Sequence, residues 1–323
     1  MAADVIRISD ENLLYPIADS KARSDTNTLT AVSNGTYTGV DLAVKFADEI
    51  ENYSDEWAWI KARITARDLS GINVCDYLEV TTSYTQSGNT PFKFKAQVAG
   101  INTYKGYRGQ IDGKTKTVND HIDFISDRLY PAAHSYNIKN TNNGNNYDNL
   151  HGYNWLASEL YLWLNSLDGS VPSDTEGEWE EVNYSQSGVL FYLPSELQSV
   201  ISTKMLYLPI RYSDSGILTD DNGFGMAEAG KLWLPDEVEM FGIPVRGGKT
   251  HINTSNAVQY PIFAGNMRRV KYVGNTDTVG TWWLSTALSG DAKRWVSISA
   301  NGPIGYSNAT DTRYVPICFR VMA

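Results

Sequence analysis

The chain has 323 residues, room for two compact units or for one large unit with an attached arm. With 27 Lys and Arg against 37 Asp and Glu the formal net charge is -10, and no stretch gathers the basic stripe that phosphate neutralisation requires, so nucleic acid is not an expected partner. No apolar run approaches the ~18 residues of a membrane span and no basic-then-apolar leader opens the chain, so neither export nor membrane insertion is expected.

From Met1 to about Thr38 the sequence is polar, with Leu13-Leu14-Tyr15 as a compact apolar anchor, and reads as a loop-rich arm. Asp41 to Ile50 and Ser54 to Ile64 place apolar residues at helical spacing behind an acidic and a serine cap, which predicts two short helices. At Tyr77 to Thr82 and Phe92 to Ala99 the period becomes two, with Ser87-Gly88-Asn89 between them, the pattern of a hairpin. Thr117 to Ile125 predicts a short helix, and Asn140 to Asn146 a polar loop. Asp148 to Leu167 carries Leu150, Trp155, Leu156, Leu160, Trp163, Leu164 and Leu167 on one helical face, the strongest helical pattern in the chain. Ser195 to Ile201 predicts another helix, capped by Ser195. Lys231 to Leu234 predicts a strand ending at Pro235, then a short helix closed by Gly242. Beyond Gly242 only strands and loops are expected, and no repeat of ~20–50 residues recurs.

The C-terminal segment divides into an apolar frame and permissive loops. Gly280 to Thr286, Trp295 to Ser299 and Tyr314 to Val321 form the frame. In the second stretch Val296 and Ile298 are expected to face a core, with Trp295, Ser297 and Ser299 outward; in the third, Val315, Ile317, Phe319 and Val321 oppose Pro316, Cys318 and Arg320. Between them run Leu288 to Arg294 and Ala300 to Arg313, largely small, polar and turn-forming. Arg294, Trp295, Tyr306 and Arg313 are the side-chain types that recognition surfaces favour. An antiparallel sheet with one wet face alternates in the same way, so pattern alone leaves a plain structural reading open.

Trp282-Trp283-Leu284-Ser285, Val296, Ile298, Asn301-Gly302, Asn308-Ala309 and Val315-x-x-Cys318 together resemble the ending of a lectin-like family of gut Firmicutes and their prophages. Leu193-Pro194-Ser195 and the run Leu232 to Gly242 match that family's upstream stretches, and the resemblance spans roughly Trp57 to Val321, tightest after Gly280. It implies an α+β chain with the C-type lectin fold, related to formylglycine-generating enzyme, with short helices and a small twisted antiparallel sheet. Residues 1–75 would be an arm with helices for tethering or oligomerisation, and 76–323 the lectin-like domain, with its display region at about 281–323.

Some members resemble the variable proteins of diversity-generating retroelements, whose templates are rich in Asn codons copied with errors at adenines. Leu288, Ser289, Asp291, Arg294, Ser297, Ser299, Ala300, Pro303, Gly305, Tyr306, Ser307, Asp311 and Arg313 occupy the matching positions, and each residue type is reachable from AAC or AAT by changing adenines. Lys293 and Trp295 are not reachable, which makes Trp295 a fixed aromatic beside the candidate site. Ser285-Thr286 departs from the family's usual Arg-Ser.

Catalysis finds no matching constellation. Cys75 and Cys318 lie far apart without a motif and read as partly buried free thiols; His121, His134, His151 and His251 are isolated; Glu176, Glu178, Glu180 and Glu181 read as a solvated loop. Asp214, Asp220, Asp221 and Asn222-Gly223 form an oxygen-rich loop of the kind that can hold calcium, but the Asp-x-Asp-x-Asp-Gly spacing is absent, so no metal or cofactor is assigned. The resulting expectation is a non-enzymatic virion or prophage protein, made in the bacterial cytoplasm, that binds a host-surface glycan or protein. Other virion subunits would be further partners, with a homo-oligomer, trimeric by analogy, adding avidity. A structural decoration protein and a bacterial adhesin are the alternatives.

Overall fold

The alternation expected from Val315 to Val321 is present, but both of its sides are buried, because this last stretch is a central strand. The computed structural model describes residues 4–9, 12–17, 26–86, 88–142, 154–172, 179–210, 224–247 and 258–323. The chain begins with strands β1 (Asp4–Ser9) and β2 (Asn12–Ile17) and helices α1 (Thr26–Ser33), α2 (Leu42–Lys45), α3 (Ala47–Ile50) and α4 (Glu56–Thr65). Strands β3 (Tyr77–Gln86), β4 (Thr90–Ile101), β5 (Arg108–Ile111), β6 (Lys114–Thr117) and β7 (His121–Leu129) precede helix α5 (Glu159–Asn165). Then come β8 (Asp168–Pro172), β9 (Trp179–Asn183), α6 (Ser195–Val200), β10 (Ile201–Ser202), β11 (Met205–Pro209), β12 (Phe224–Glu228), β13 (Leu232–Trp233) and α7 (Glu237–Phe241). Four strands close the chain: β14 (Trp282–Ala287), β15 (Arg294–Ile298), β16 (Ile304–Asn308) and β17 (Pro316–Met322).

The architecture is α+β, mainly antiparallel sheets with short helices. A six-stranded sheet runs β10-β17-β7-β4-β3, with β13 also paired to β17. Phe319 lies opposite Phe124 of β7, their rings stacked at 5.1 Å, and Trp57 of α4 packs edge-on against both at 5.6 and 5.7 Å. Leu42, Trp57, Ile60 and Ile64 thus belong to the same continuous core as Phe319 and Val321.

Several expectations need correction. The lead-in expected as a loop-rich arm carries the β1–β2 hairpin and α1. The helix expected over Asp41 to Ile50 breaks at Phe46 into α2 and α3, and α4 is capped by Asp55, which accepts the N–H groups of Trp57 and Ala58, rather than by Ser54. Pro194, not Ser195, occupies the cap position of α6. The helix expected over Thr117 to Ile125 is instead the central strand β7: between β4 and β17 the apolar side chains Ile122, Phe124 and Ile125 are buried, and the sheet overrides the local pattern. Residues 148–153 lie outside the described residues, and among the described residues from Asn154 to Leu167 only Glu159–Asn165 is α-helical, capped by Ser158, which accepts the Tyr161 N–H. The predicted strand and short helix around Pro235 are present, with Gly242 closing α7 at φ +76°. Cys75 and Cys318 are free and fully buried, and burial pushes the Cys75 thiol up to about 11.

Behind the main sheet, opposite α4, lies a buried polar layer. Arg320 forks onto Asp123 at 2.7 and 2.8 Å, and Tyr260 donates to the same carboxylate at 2.8 Å. Burial, the largest single influence, would raise the Asp123 carboxyl, but the charge and hydrogen bonds of Arg320 together with nearby His121 and Lys204 outweigh it and hold the group at about 2. His121 is fully buried; its Nδ1 donates to the Asn119 carbonyl at 2.8 Å and its Nε2 accepts the Tyr104 N–H at 3.3 Å, the pattern of a neutral ring. Burial pushes this imidazole down to about 3, with Arg320 adding to the effect.

Because the folded value lies below the unfolded 6.5, the unfolded chain holds a proton that the folded chain lacks between about pH 6.5 and 3, and stability falls as pH falls through that window. Asp236, which burial raises to about 7, pulls the other way across part of the same range, so the effect is read as a difference between proteins. His121→Gln removes the His121 contribution. Between pH 6 and 4 the wild type should lose stability relative to that variant by up to about 1.4 kcal/mol per pH unit, measured by urea unfolding. A difference independent of pH would show that His121 is not a buried neutral base.

Candidate ligand-binding surface

Strands β14, β15 and β16 form a three-stranded antiparallel sheet, with Trp282 opposite Ile298, Val296 opposite Tyr306 and Trp295 opposite Ser307. Alternation predicts one wet face here, yet β15 is buried on both sides. Val296 and Ile298 face one apolar layer as expected. On the other side Trp295 is fully buried, stacked on Tyr136 with ring centroids 3.6 Å apart, and Trp283 meets the same tyrosine edge-on at 5.3 Å. The expected outward placement of Trp295 and Ser297 is therefore corrected. Tyr136, from a segment with no marked periodicity, covers the face that alternation leaves open to water.

Ser297 and Ser307 share that buried side with their hydroxyls 3.5 Å apart, which removes both from any contact surface. What remains outward is a rim rather than a sheet face. Pro303 and Tyr306 are exposed; Leu288, Ser289, Asp291, Arg294, Ser299, Ala300, Gly305, Asp311 and Arg313 are half-buried around them.

Tyr306, 46% exposed, is the most prominent side chain of this rim. The guanidinium carbons of Arg294 and Arg246 lie 5.2 and 5.7 Å from its ring centroid, a cation–π pair of contacts. Arg313 donates to the Ser307 hydroxyl at 3.1 Å and to Asp311 at 3.3 Å, and Asp311 accepts the Asn308 N–H at 3.1 Å. Arg294 stands 3.8 Å from Asp291. Partly exposed ion pairs of this kind contribute less than about 1 kcal/mol each, so they orient the rim without holding it in place.

Asparagines from the segment before residue 143, Asn142 fully buried and Asn140 half-buried, hold it instead. Asn142 donates to the carbonyls of Asp291 and Arg294 at 2.6 and 2.8 Å, fixing the β14–β15 loop, and Asn140 accepts the Ala309 N–H at 3.1 Å. Arg246 belongs to the same surface, although no motif in the sequence marks it. It stands on the loop after α7, where Val245, Arg246 and Gly247 aim their N–H groups at the buried Glu237 carboxylate, 2.8 to 3.0 Å away. The Arg246 carbonyl in turn accepts the Ser289 N–H at 3.2 Å, and the Glu237 N–H donates to the Thr286 hydroxyl at 3.1 Å. In sequence Glu237 is one acid of an acidic helix start, where exposure is the ordinary case; only burial distinguishes it.

Among the described residues no group of three or more His, Cys, Asp or Glu is placed to hold a metal ion. Asp214, Asp220, Asp221, Asn222 and Gly223 lie outside the described residues, as do Glu176, Glu178, His151 and His251. His134, half-buried, stacks on Trp163 at 4.5 Å, while Glu180 and Glu181 are exposed on β9. No family model matches the chain, and neither a curated protein nor a solved structure does.

The burial of Trp295 and the exposure of Tyr306 predict opposite costs for truncation. Trp295→Ala should lower the unfolding free energy by about 3–5 kcal/mol, and Tyr306→Ala by less than about 0.5 kcal/mol. Comparable values from urea denaturation would show that Trp295 stands in water.

Proposed function

We propose that this protein is a non-enzymatic virion or prophage component whose C-terminal part, a C-type-lectin-like domain, displays a ligand-binding rim for host-surface recognition. The observation that carries the reading is the separation between a buried tryptophan frame and an outward rim within one short stretch, 282–313. Short helices and a small antiparallel sheet are consistent with the lectin-like fold. The rim holds Tyr306, Arg294 and Arg313, side chains that carry binding energy at interfaces, among small polar neighbours that adapt hydrogen bonds.

Diversification by a retroelement fits the same partition. All the rim positions are reachable from Asn codons by adenine changes, whereas the buried Trp282, Trp283 and Trp295 are not. Ser297 and Ser307 are reachable but buried, so large side chains there would overpack the Tyr136 layer at about 1–3 kcal/mol. Several copies on one particle, a trimer by analogy, raise a weak single-site affinity by avidity.

Particles carrying Tyr306→Ala with Arg313→Ala should assemble normally and adsorb to host cells at least tenfold less. Unchanged adsorption by intact particles would favour a decorating role instead. Sequencing the DNA downstream of the gene should reveal a near-copy of the segment from Trp282 to Tyr314, differing mainly at adenines, next to a reverse transcriptase. Without such a copy diversification fails as an idea, while display survives.

A further inference from the structure

A surface whose side chains are exchanged needs a source of affinity that the exchange leaves intact, and β16 provides one in its backbone. Its ladder to β15 has a fixed phase: the Ser299 N–H bonds the Pro303 carbonyl, the Ala309 N–H bonds the Lys293 carbonyl, and Ser297 and Trp295 lie opposite Gly305 and Ser307. The odd-numbered residues of β16 therefore spend their backbone groups on β15, and Ile304 and Tyr306 turn theirs outward. Asn308, the next in that row, is satisfied locally, its N–H by Asp311 and its carbonyl by the Asp311 N–H at 3.0 Å. Among the described residues β16 is an edge of its sheet, and no strand pairs with Ile304 or Tyr306 on that side.

The surroundings of this edge suit a polypeptide. The Arg246 loop, which touches Tyr306, also carries Ile243 and Val245, 61% and 44% exposed, so aliphatic surface lies beside an aromatic and two guanidiniums. Protein contacts use that combination, with arginine and aromatics enriched at their centres. Arg246 and Arg294 both lie beside the Tyr306 ring and favour negative charge there, with Asp291 sharing part of the Arg294 charge.

We propose that the outer edge of β16 is the docking edge for an extended acidic polypeptide segment of the recognised protein, which joins the β14–β15–β16 sheet as a fourth strand and sets a carboxylate against Arg246 and Arg294. Main-chain hydrogen bonds to Ile304 and Tyr306 supply affinity that does not depend on which side chains the rim displays, and those side chains supply the choice of partner. Arg246 and the Glu237 clamp lie outside the exchanged segment and are its permanent part. The inference rests on the reading of the rim as a ligand-binding surface.

The test uses the full chain on an array of dodecapeptides alternating Val with Glu, Ser or Lys, beside an array of acidic and neutral glycans. Binding should rank Glu over Ser over Lys peptides. Ile304→Pro removes one outward N–H and leaves the bonds to β15 in place; Arg246→Glu reverses the fixed charge on an exposed loop. Each should weaken Glu-peptide binding at least tenfold with an unchanged thermal transition, and Arg246→Glu decides alone if the proline variant fails to fold. Blank peptide arrays, binding without charge order, signal on glycans only, or a folded Arg246→Glu protein that binds as the wild type each overturn strand addition. If adsorption is nevertheless lost in the Tyr306 and Arg313 alanine particles, the recognition reading stands and only its mode is wrong; if adsorption is also unchanged, recognition itself fails.

Discussion

Helix α7 spans only Glu237–Phe241, yet two carboxylates buried in it connect the core to the rim. Glu239 faces inward, bonded to Lys204 and to the Tyr104 hydroxyl, while Lys204 sits 3.5 Å over the Trp233 ring in the layer next to the Asp123–Arg320 fork. Glu237 faces the other way and gathers three backbone N–H groups of the loop that presents Arg246. A buried carboxylate without such partners costs several kcal/mol, so each of these groups holds its partners in one arrangement. The capping box in which Asp236 accepts the Val238 and Glu239 N–H groups fixes the start of the helix, so both carboxylates keep their directions. Loss of either would release a loop or a strand rather than a single contact.

That rigidity would let side-chain exchange on the rim and a stable core coexist within some thirty residues. The stacked Trp295 and Tyr136, with Trp283 against them, fill a layer in which a volume change is costly. Tyr306, on the opposite face of the same ladder, has water on one side and guanidiniums nearby, so its replacement disturbs little packing. The boundary between the two regimes follows burial and not the alternation of residues along the strand.

Alternation nevertheless made much of the molecule legible. The β3–β4 hairpin, the strand and helix around Pro235 and the two-sided pattern of β17 follow from local rules, since turn residues, caps and period-two runs act through neighbours in sequence. Some differences are local, such as the caps at Asp55 and Pro194, but the larger ones arise where a distant segment decides the outcome. Thr117 to Ile125 carries an apolar spacing that suits a helix, but the strands on either side of β7 impose extension. Trp295 looked outward because nothing in its own strand announces Tyr136, which lies far earlier in the chain. Arg246 is unmarked in the sequence for the same reason, since its place beside Tyr306 depends on a carboxylate whose burial only the fold creates.

An open strand edge is a hazard as well as a resource, because it can pair with another copy of the chain. Here the outward row is limited to Ile304 and Tyr306, since Asp311 already satisfies Asn308 and ends the row. Two guanidiniums lie beside the Tyr306 ring, so a basic strand gains little there, and a strand from a second copy would carry the same arginines into the contact. Short length and like charge thus disfavour self-pairing while leaving the edge usable by a partner of opposite charge. Exchange of side chains on the rim would alter that charge filter from one variant to the next, whereas Arg246, outside the exchanged segment, would keep part of it constant.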